Sequence, residues 1–115
     1  MDSETVDQAG STPVSLTEAS AFDEWIDHSD VLIVDFYADW CGPCQMMEPV
    51  LETIAAETEA TVLKVDVDAF QALAAEHDVR GVPTLKVYAN GEPVNRLVGY
   101  QDESNLRKSV ANLSQ

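Results

Sequence analysis

The apolar residues of this chain fall into two patterns, continuous runs and spaced repeats. The runs VLIVDFY at 31–37 and TVLKVDV at 61–67 are almost uninterrupted, which is typical of strands buried on both faces. The segment TLKVYANGEPVNRLV at 84–98 surrounds Asn90-Gly91, a dipeptide that favours a two-residue hairpin turn. The pattern therefore predicts two buried strands followed by a β-hairpin.

Four other segments fit amphipathic helices, in which apolar residues recur every three to four positions. The clearest carries Met47, Val50, Leu51 and Ile54 on one face. Helix-capping side chains are expected at Thr17, before the first helix, and at Asp102, before the last. The predicted helices cover 18–28, about 41–58, 69–77, and a segment after Asp102 that turns Leu106, Val110 and Leu113 inward.

The order of these elements predicts the fold class. A strand–helix–strand unit gives a parallel strand pair, and the hairpin adds antiparallel strands to the same sheet. We therefore expect an α/β fold with a central mixed sheet and helices on both faces. The 115 residues suit one domain. We expect a flexible acidic tail over 1–14 and the folded domain over 15–115.

Charge narrows the possible partners. The chain has 21 acidic and 6 basic residues, and no Lys or Arg precedes Lys64. Such a surface should repel nucleic acid and anionic membranes. It is expected either to aid solubility or to mark adaptation to high salt, where charges are screened. The sequence also has no apolar stretch of membrane-spanning length and no secretory signal, so a cytoplasmic location is expected.

Cys41 and Cys44 are the only cysteines and form a C-x-x-C pair. A zinc site is disfavoured because zinc commonly takes four ligands, and His28 and His77 are expected on surface helices. A purely structural disulfide would close a very small loop and stabilise little. Cys41, however, falls where a helix begins, and free N–H groups there should lower its pKa. Cys44 should lie one turn inside and be more buried, so a redox dithiol is favoured.

With these residues in view, the sequence resembles the thioredoxin family. The motif WCGPC at 40–44 matches the family's active-site motif in full. The resemblance also includes Asp35, Pro49, RGVPT at 80–84, NGE at 90–92 and Gly99, and it spans about residues 15–113. It implies the thioredoxin fold and the reduction of protein disulfides, with Cys41 as the nucleophile, Cys44 as the resolving thiol and a redox disulfide between them.

Asp35 is unusual because it lies within an apolar run. Taken alone, an Asp in a strand could simply face solvent, but apolar residues on both faces of this strand favour burial. Burial would raise its pKa and let it exchange protons near neutral pH. The resemblance implies this role, in which Asp35 assists deprotonation of Cys44 through water and Lys64 is its partner. The alternative for Lys64 is an outward-facing strand residue.

The resemblance also implies a substrate surface around the cysteines. It implies a cis peptide bond at Val82-Pro83, although X–Pro bonds are generally trans. Val82 would offer backbone hydrogen bonds to an extended substrate segment. The implied substrate-binding residues are Trp40, Gly42, Pro43, Val82, Pro83 and Gly99.

Two residues depart from the family pattern. Tyr37 replaces a common Trp, and Gln45 replaces the common Lys after the second cysteine, which removes a positive charge near Cys41.

The sequence predicts a thiol–disulfide oxidoreductase that reduces protein disulfides without metal or organic cofactor. The expected partners are thioredoxin reductase and disulfide-containing proteins, and the chain is expected to be a monomer. The alternatives are an oxidising or isomerising enzyme of this fold and a non-catalytic binding module.

Overall fold

The computed structural model describes residues 12–111 and 113, and these form five strands and four α-helices. A short 3₁₀ turn at Ala19–Ala21 leads into the first helix. In chain order the elements are β1 (Val14–Ser15), α1 (Phe22–Asp27), β2 (Val31–Tyr37), α2 (Gly42–Glu57), β3 (Thr61–Asp66), α3 (Gln71–Glu76), β4 (Thr84–Ala89), β5 (Glu92–Val98) and α4 (Glu103–Val110).

The strands form one mixed sheet in the order β1-β3-β2-β4-β5. β3 pairs in parallel with both β1 and β2, whereas β4 is antiparallel to β2 and to β5. The central strand β2 places Asp35 beside Lys64 of β3 and Leu85 of β4. The expected α/β architecture with a central mixed sheet is confirmed.

Each face of the sheet carries its own apolar core. Alternate residues of β2 point to opposite faces, so Ile33 packs under α2 and α4 while Val34 and Phe36 pack against α1 and α3. The α2 residues Met47, Leu51 and Ile54 are fully buried in the first core, as their spacing predicts. Asp35 shares the face of Ile33, so its strand position directs it towards α2.

Most predicted elements are confirmed with small shifts in their ends. The hairpin turn has Asn90 and Gly91 at φ 52° and 86°, the left-handed conformation that this dipeptide favours. The Asp102 side chain caps α4 by accepting a hydrogen bond from the Asn105 N–H at 2.8 Å. The prediction that Thr17 caps the first helix is wrong, because the helical backbone begins two residues later.

Strand β1 is an element that the sequence pattern missed. Its two residues, Val14 and Ser15, pair with Leu63 and Lys64 of β3. Residues 1–11 of the predicted acidic tail lie outside the described residues, so the boundary between residues 14 and 15 stays a prediction. None of the helices in the described ranges is long and apolar enough to cross a membrane.

Candidate active site

Cys41 and Cys44 form a disulfide at the start of α2, with their Cα atoms 5.2 Å apart. Cys41 is the residue that caps the helix: its backbone is extended, and its Sγ accepts a hydrogen bond from the Cys44 N–H at 3.1 Å. The first N–H groups of a helix have no partners within the helix and favour negative charge. When the disulfide is reduced, this position stabilises a thiolate on Cys41.

The exposed fractions of the two cysteines differ less than predicted from the sequence. Cys41 is 5% exposed and Cys44 is 3% exposed, so the expected order holds by a small margin. Their surroundings differ more. Cys41 follows the exposed Trp40, and its Sγ lies 3.7 Å from the carbonyl oxygen of Val82. The Cys41 side of the pair therefore borders exposed surface at Trp40.

The Val82-Pro83 peptide bond is cis, as the resemblance implies. The carbonyl oxygen of Pro83 accepts a hydrogen bond from the Gly99 N–H at 2.8 Å, which joins the two loops beside the disulfide. Gly99 has φ of 89°, which favours glycine, and within the described chain no atom beyond its two sequence neighbours lies within 4 Å of where a Cβ would be. The loop at Gly99 therefore presents open backbone at the surface.

The rim of the site is apolar and acidic. Trp40 is 71% exposed, and its Nε1–H donates a hydrogen bond to Oδ2 of Asp68 at 2.9 Å. Val98 and Tyr100, on either side of Gly99, are exposed and were missed by the sequence analysis. Their signal was present, since both are apolar or aromatic residues that flank a predicted site glycine.

Asp39 and Gln45 lie on either side of the cysteine pair in sequence, and a hydrogen bond joins them. The Gln45 Nε2 donates to the backbone oxygen of Asp39 at 2.7 Å. Both residues are exposed. The position that commonly carries Lys in this family therefore supplies a neutral amide that stabilises the loop before Cys41.

Asp35 is 1% exposed, and its Oδ1 has no hydrogen-bond partner among the residues that the structure describes. The solvent-facing alternative for this carboxyl is therefore wrong. Burial raises the pKa of Asp35 to about 7, against a smaller lowering by Lys64, and Glu48 raises it further. A carboxyl group with this pKa takes up and releases protons near neutral pH.

Lys64 lies beside Asp35 in the sheet, but its ammonium group is bound elsewhere. The Nζ of Lys64 is 3.2 Å from Oε2 of Glu48 and 4.4 Å from the centroid of the Tyr37 ring. Its side chain is 16% exposed, so the outward-facing alternative does not describe it. The sequence analysis missed Glu48, because nothing in the spacing of an exposed helix residue indicates a partner on a strand.

Histidine positions differ from the expectation in one case. His28 is exposed, but His77 is partly buried against Phe22 and Phe36, with ring centroids 4.8 and 5.8 Å away. Both residues were expected on surface helices, but His77 follows the last residue of α3, Glu76, and its ring packs against the core. In the described part of the chain, no three His, Cys, Asp or Glu side chains converge to hold a metal ion.

The disulfide lies at the start of a helix and faces a loop with a cis-proline, and the mixed sheet buries a carboxyl group. This combination is characteristic of the thiol–disulfide oxidoreductases with this fold. The family model described as Thioredoxin matches residues 13–112. The chain belongs to the thioredoxin family.

Curated and solved relatives agree with this assignment. A thioredoxin from Staphylococcus aureus is 47% identical over 95 residues, which cover 81% of this chain and 89% of the relative. The structure of a mutant thioredoxin from Halobacterium salinarum is 47% identical with a TM-score of 0.88, and the match covers 93% of this chain and 95% of that one. A Plasmodium falciparum thioredoxin structure is 34% identical with a TM-score of 0.76, over 85% and 96% of the two chains.

Family and site together establish the type of reaction. The chain is a protein-disulfide oxidoreductase that acts by thiol–disulfide exchange, and Cys41 and Cys44 are its redox-active pair. Its partners are, in general terms, proteins with disulfides and a reductase that regenerates the dithiol.

Proposed function

We propose that Cys41 is the nucleophile and Cys44 the resolving thiol in the reduction of protein disulfides. The Cys41 thiolate attacks one sulfur of the substrate disulfide, which forms a mixed disulfide and releases the other sulfur as a thiolate. Cys44, after losing its proton, attacks Sγ of Cys41 and releases the second substrate thiolate. The two enzyme thiols are oxidised to a disulfide, and the substrate disulfide is reduced by two electrons.

The observation that carries this assignment is the hydrogen bond from the Cys44 N–H to Sγ of Cys41. This hydrogen bond favours negative charge on Cys41. Cys41 also lies beside the exposed Trp40, so a substrate reaches its sulfur first. Cys44 lies inside the helix, where attack on an external disulfide is hindered but attack on Cys41 is not.

The experiment is to trap the mixed disulfide with a disulfide-linked model protein such as insulin. Cys44→Ser should accumulate a covalent complex through Cys41, because the resolving thiol is missing. Cys41→Ser is the matched control and should accumulate little. Mass mapping identifies the linked cysteine. A complex that forms mainly through Cys44 would reverse the assignment.

We assign the proton-transfer step of the reaction to Asp35 and Lys64. Asp35 accepts the proton of Cys44 before the second attack, and its pKa of about 7 supports that role. Lys64 tunes the carboxyl from the neighbouring strand, since its positive charge lowers the pKa of Asp35.

The proposed substrate surface surrounds Cys41. An extended substrate segment hydrogen-bonds to the backbone of Val82 and passes over the exposed Trp40. Pro83, which follows Val82, belongs to the same proposed surface. The remaining contacts are Gly42 and Pro43, which are exposed between the cysteines, and Gly99, which offers open backbone.

The cellular setting is also a proposal. We infer a cytoplasmic enzyme whose domain covers residues 15–115, which is recharged by thioredoxin reductase and acts as a monomer. It uses no metal or organic cofactor, since the dithiol itself carries the two electrons. The net charge of −15 supports partners other than nucleic acid and anionic membranes.

We propose further that the acidic surface is an adaptation to high salt. The excess of acids and a halobacterial thioredoxin among the similar structures support this. At about 0.1 M salt the screening length is about 10 Å, so neighbouring surface charges still repel each other. The melting temperature should therefore rise as KCl increases from about 0.1 to 2 M. A flat or falling melting temperature would leave the acidity as a solubility feature only.

A further inference from the structure

Glu48 is an exposed residue of α2, yet it forms an ion pair with the lysine that lies beside Asp35 in the sheet. Its Oε2 lies 3.2 Å from Nζ of Lys64, the basic residue beside Asp35 in the sheet. Glu48 follows Cys44 by four residues, so it lies one helical turn beyond that cysteine on the same side of α2. It therefore connects the helix that carries the cysteines with the strand that carries the lysine.

The buried carboxyl group of Asp35 lacks a partner that a neighbouring side chain could supply. Its Oδ1 is buried without a hydrogen-bond partner, although Lys64 occupies the adjacent position in β3. The titratable groups around Asp35 are Tyr37 on its own strand, Lys64 on β3 and Glu48 on α2. The neighbouring residue of β4, Leu85, is apolar.

We propose that Glu48 is a positioning residue for proton transfer: by binding the ammonium group of Lys64, it keeps the buried carboxyl of Asp35 without an ion-pair partner. This inference rests on the proposed role of Asp35 and adds the residue that sets its state. Without Glu48, the ammonium group is free to turn towards Asp35, which would then bind its proton less tightly and ionise at lower pH.

The ion pair between Glu48 and Lys64 is expected to add little to the stability of the fold. The side chain of Glu48 is 49% exposed, and ion pairs at such positions contribute roughly 0–1 kcal/mol. Glu48 also acts on a carboxyl group that is 1% exposed, where charges are poorly screened. In agreement, Glu48 raises the pKa of Asp35 whereas Lys64 lowers it.

Glu52 provides a matched control. It is one turn further along α2 and lines the same groove of about 490 Å³ as Glu48 and Lys64. It is exposed and is not among the groups that shift the pKa of Asp35. Glu52→Gln therefore removes the same charge from the same helix and groove without releasing Lys64.

The experiment follows the Asp35 carboxyl by ¹³C NMR titration of the oxidised full-length protein. Glu48→Gln should lower the pKa of Asp35 by about 1, as expected when a nearby cation becomes available. Glu52→Gln should leave it near the parent value. In a Lys64→Gln background, Glu48→Gln should have a clearly smaller effect, because there is no ammonium group left to position.

Three results would overturn the inference. They are an unchanged Asp35 titration in Glu48→Gln, a fall of the same size in Glu52→Gln, and an undiminished fall in the Lys64→Gln background. The last result would make Glu48 a direct charge rather than a positioning residue. Because the titration does not depend on turnover, it decides whether Glu48 keeps Lys64 away from Asp35 even if Asp35→Asn proves that Asp35 has no part in catalysis.

Discussion

The two faces of the sheet each bury an ionisable side chain, and the two groups have different roles. Asp35 lies on the face of β2 that packs against α2, and His77 packs against Phe22 and Phe36 on the opposite face. Burial shifts both towards their neutral forms: it raises the pKa of Asp35 to about 7 and lowers the pKa of His77. The same physical cause therefore acts on both faces.

Their partners differ. His77 has aromatic contacts on its ring, and its Nδ1 lies 3.1 Å from Nζ of Lys86, which can donate a hydrogen bond to it. Its backbone oxygen accepts a hydrogen bond from Arg96. Asp35 has a buried oxygen without a partner and a neighbouring cation that is bound to Glu48. A shifted pKa with satisfied contacts therefore indicates packing, whereas a shifted pKa without such contacts, close to reactive groups, indicates function.

The largest expected effect on stability comes from Asp35→Asn. Because the folded-state pKa of about 7 exceeds the ordinary 3.8, stability is fully present below about pH 3.8 and is lost as the pH rises through 7. The amide cannot ionise, so the variant should gain on the order of 2–4 kcal/mol at about pH 8. Urea unfolding at several pH values measures this gain. A variant that is no more stable than the parent at alkaline pH would contradict the burial of an uncompensated carboxyl.

A smaller effect of opposite pH dependence is expected from His77→Ala. The loss of two aromatic contacts should cost about 1–2 kcal/mol at neutral pH. Since the folded-state pKa of His77 is lowered, the parent loses stability as the pH falls below the ordinary value of 6.5, and the variant should lack this part of the profile. Disulfide-exchange activity at neutral pH should remain. A loss of activity without a loss of stability would break the contrast between the two faces.

The sequence was sufficient for elements with a strong local signal. The runs of β2 and β3, the Asn90-Gly91 turn and the Asp102 cap each depend on neighbouring residues, and each is confirmed. The C-x-x-C pair at a helix start is likewise a local feature. Local patterning therefore predicted most of the fold and the redox centre.

Features that depend on distant residues could not be predicted in this way. β1 has only two residues, too few for a period, and forms because the edge of β3 offers it backbone partners. His77 is partly buried by aromatic residues from two other elements. Glu48 meets Lys64 across sixteen positions of the sequence. The cis bond at Val82-Pro83 came from the family resemblance, because sequence statistics favour trans.

The most direct test of the account measures how fast the mixed disulfide is resolved at different pH values. In single-turnover experiments on the parent, the rate should rise with pH through about 7, in step with ionisation of Asp35. In Asp35→Asn the rate at neutral pH should fall at least about 10-fold and recover towards pH 8.5, where a free thiol ionises unaided. Parent and variant rates that coincide from about pH 6 to 9 would contradict the claim that Asp35 takes the proton of Cys44.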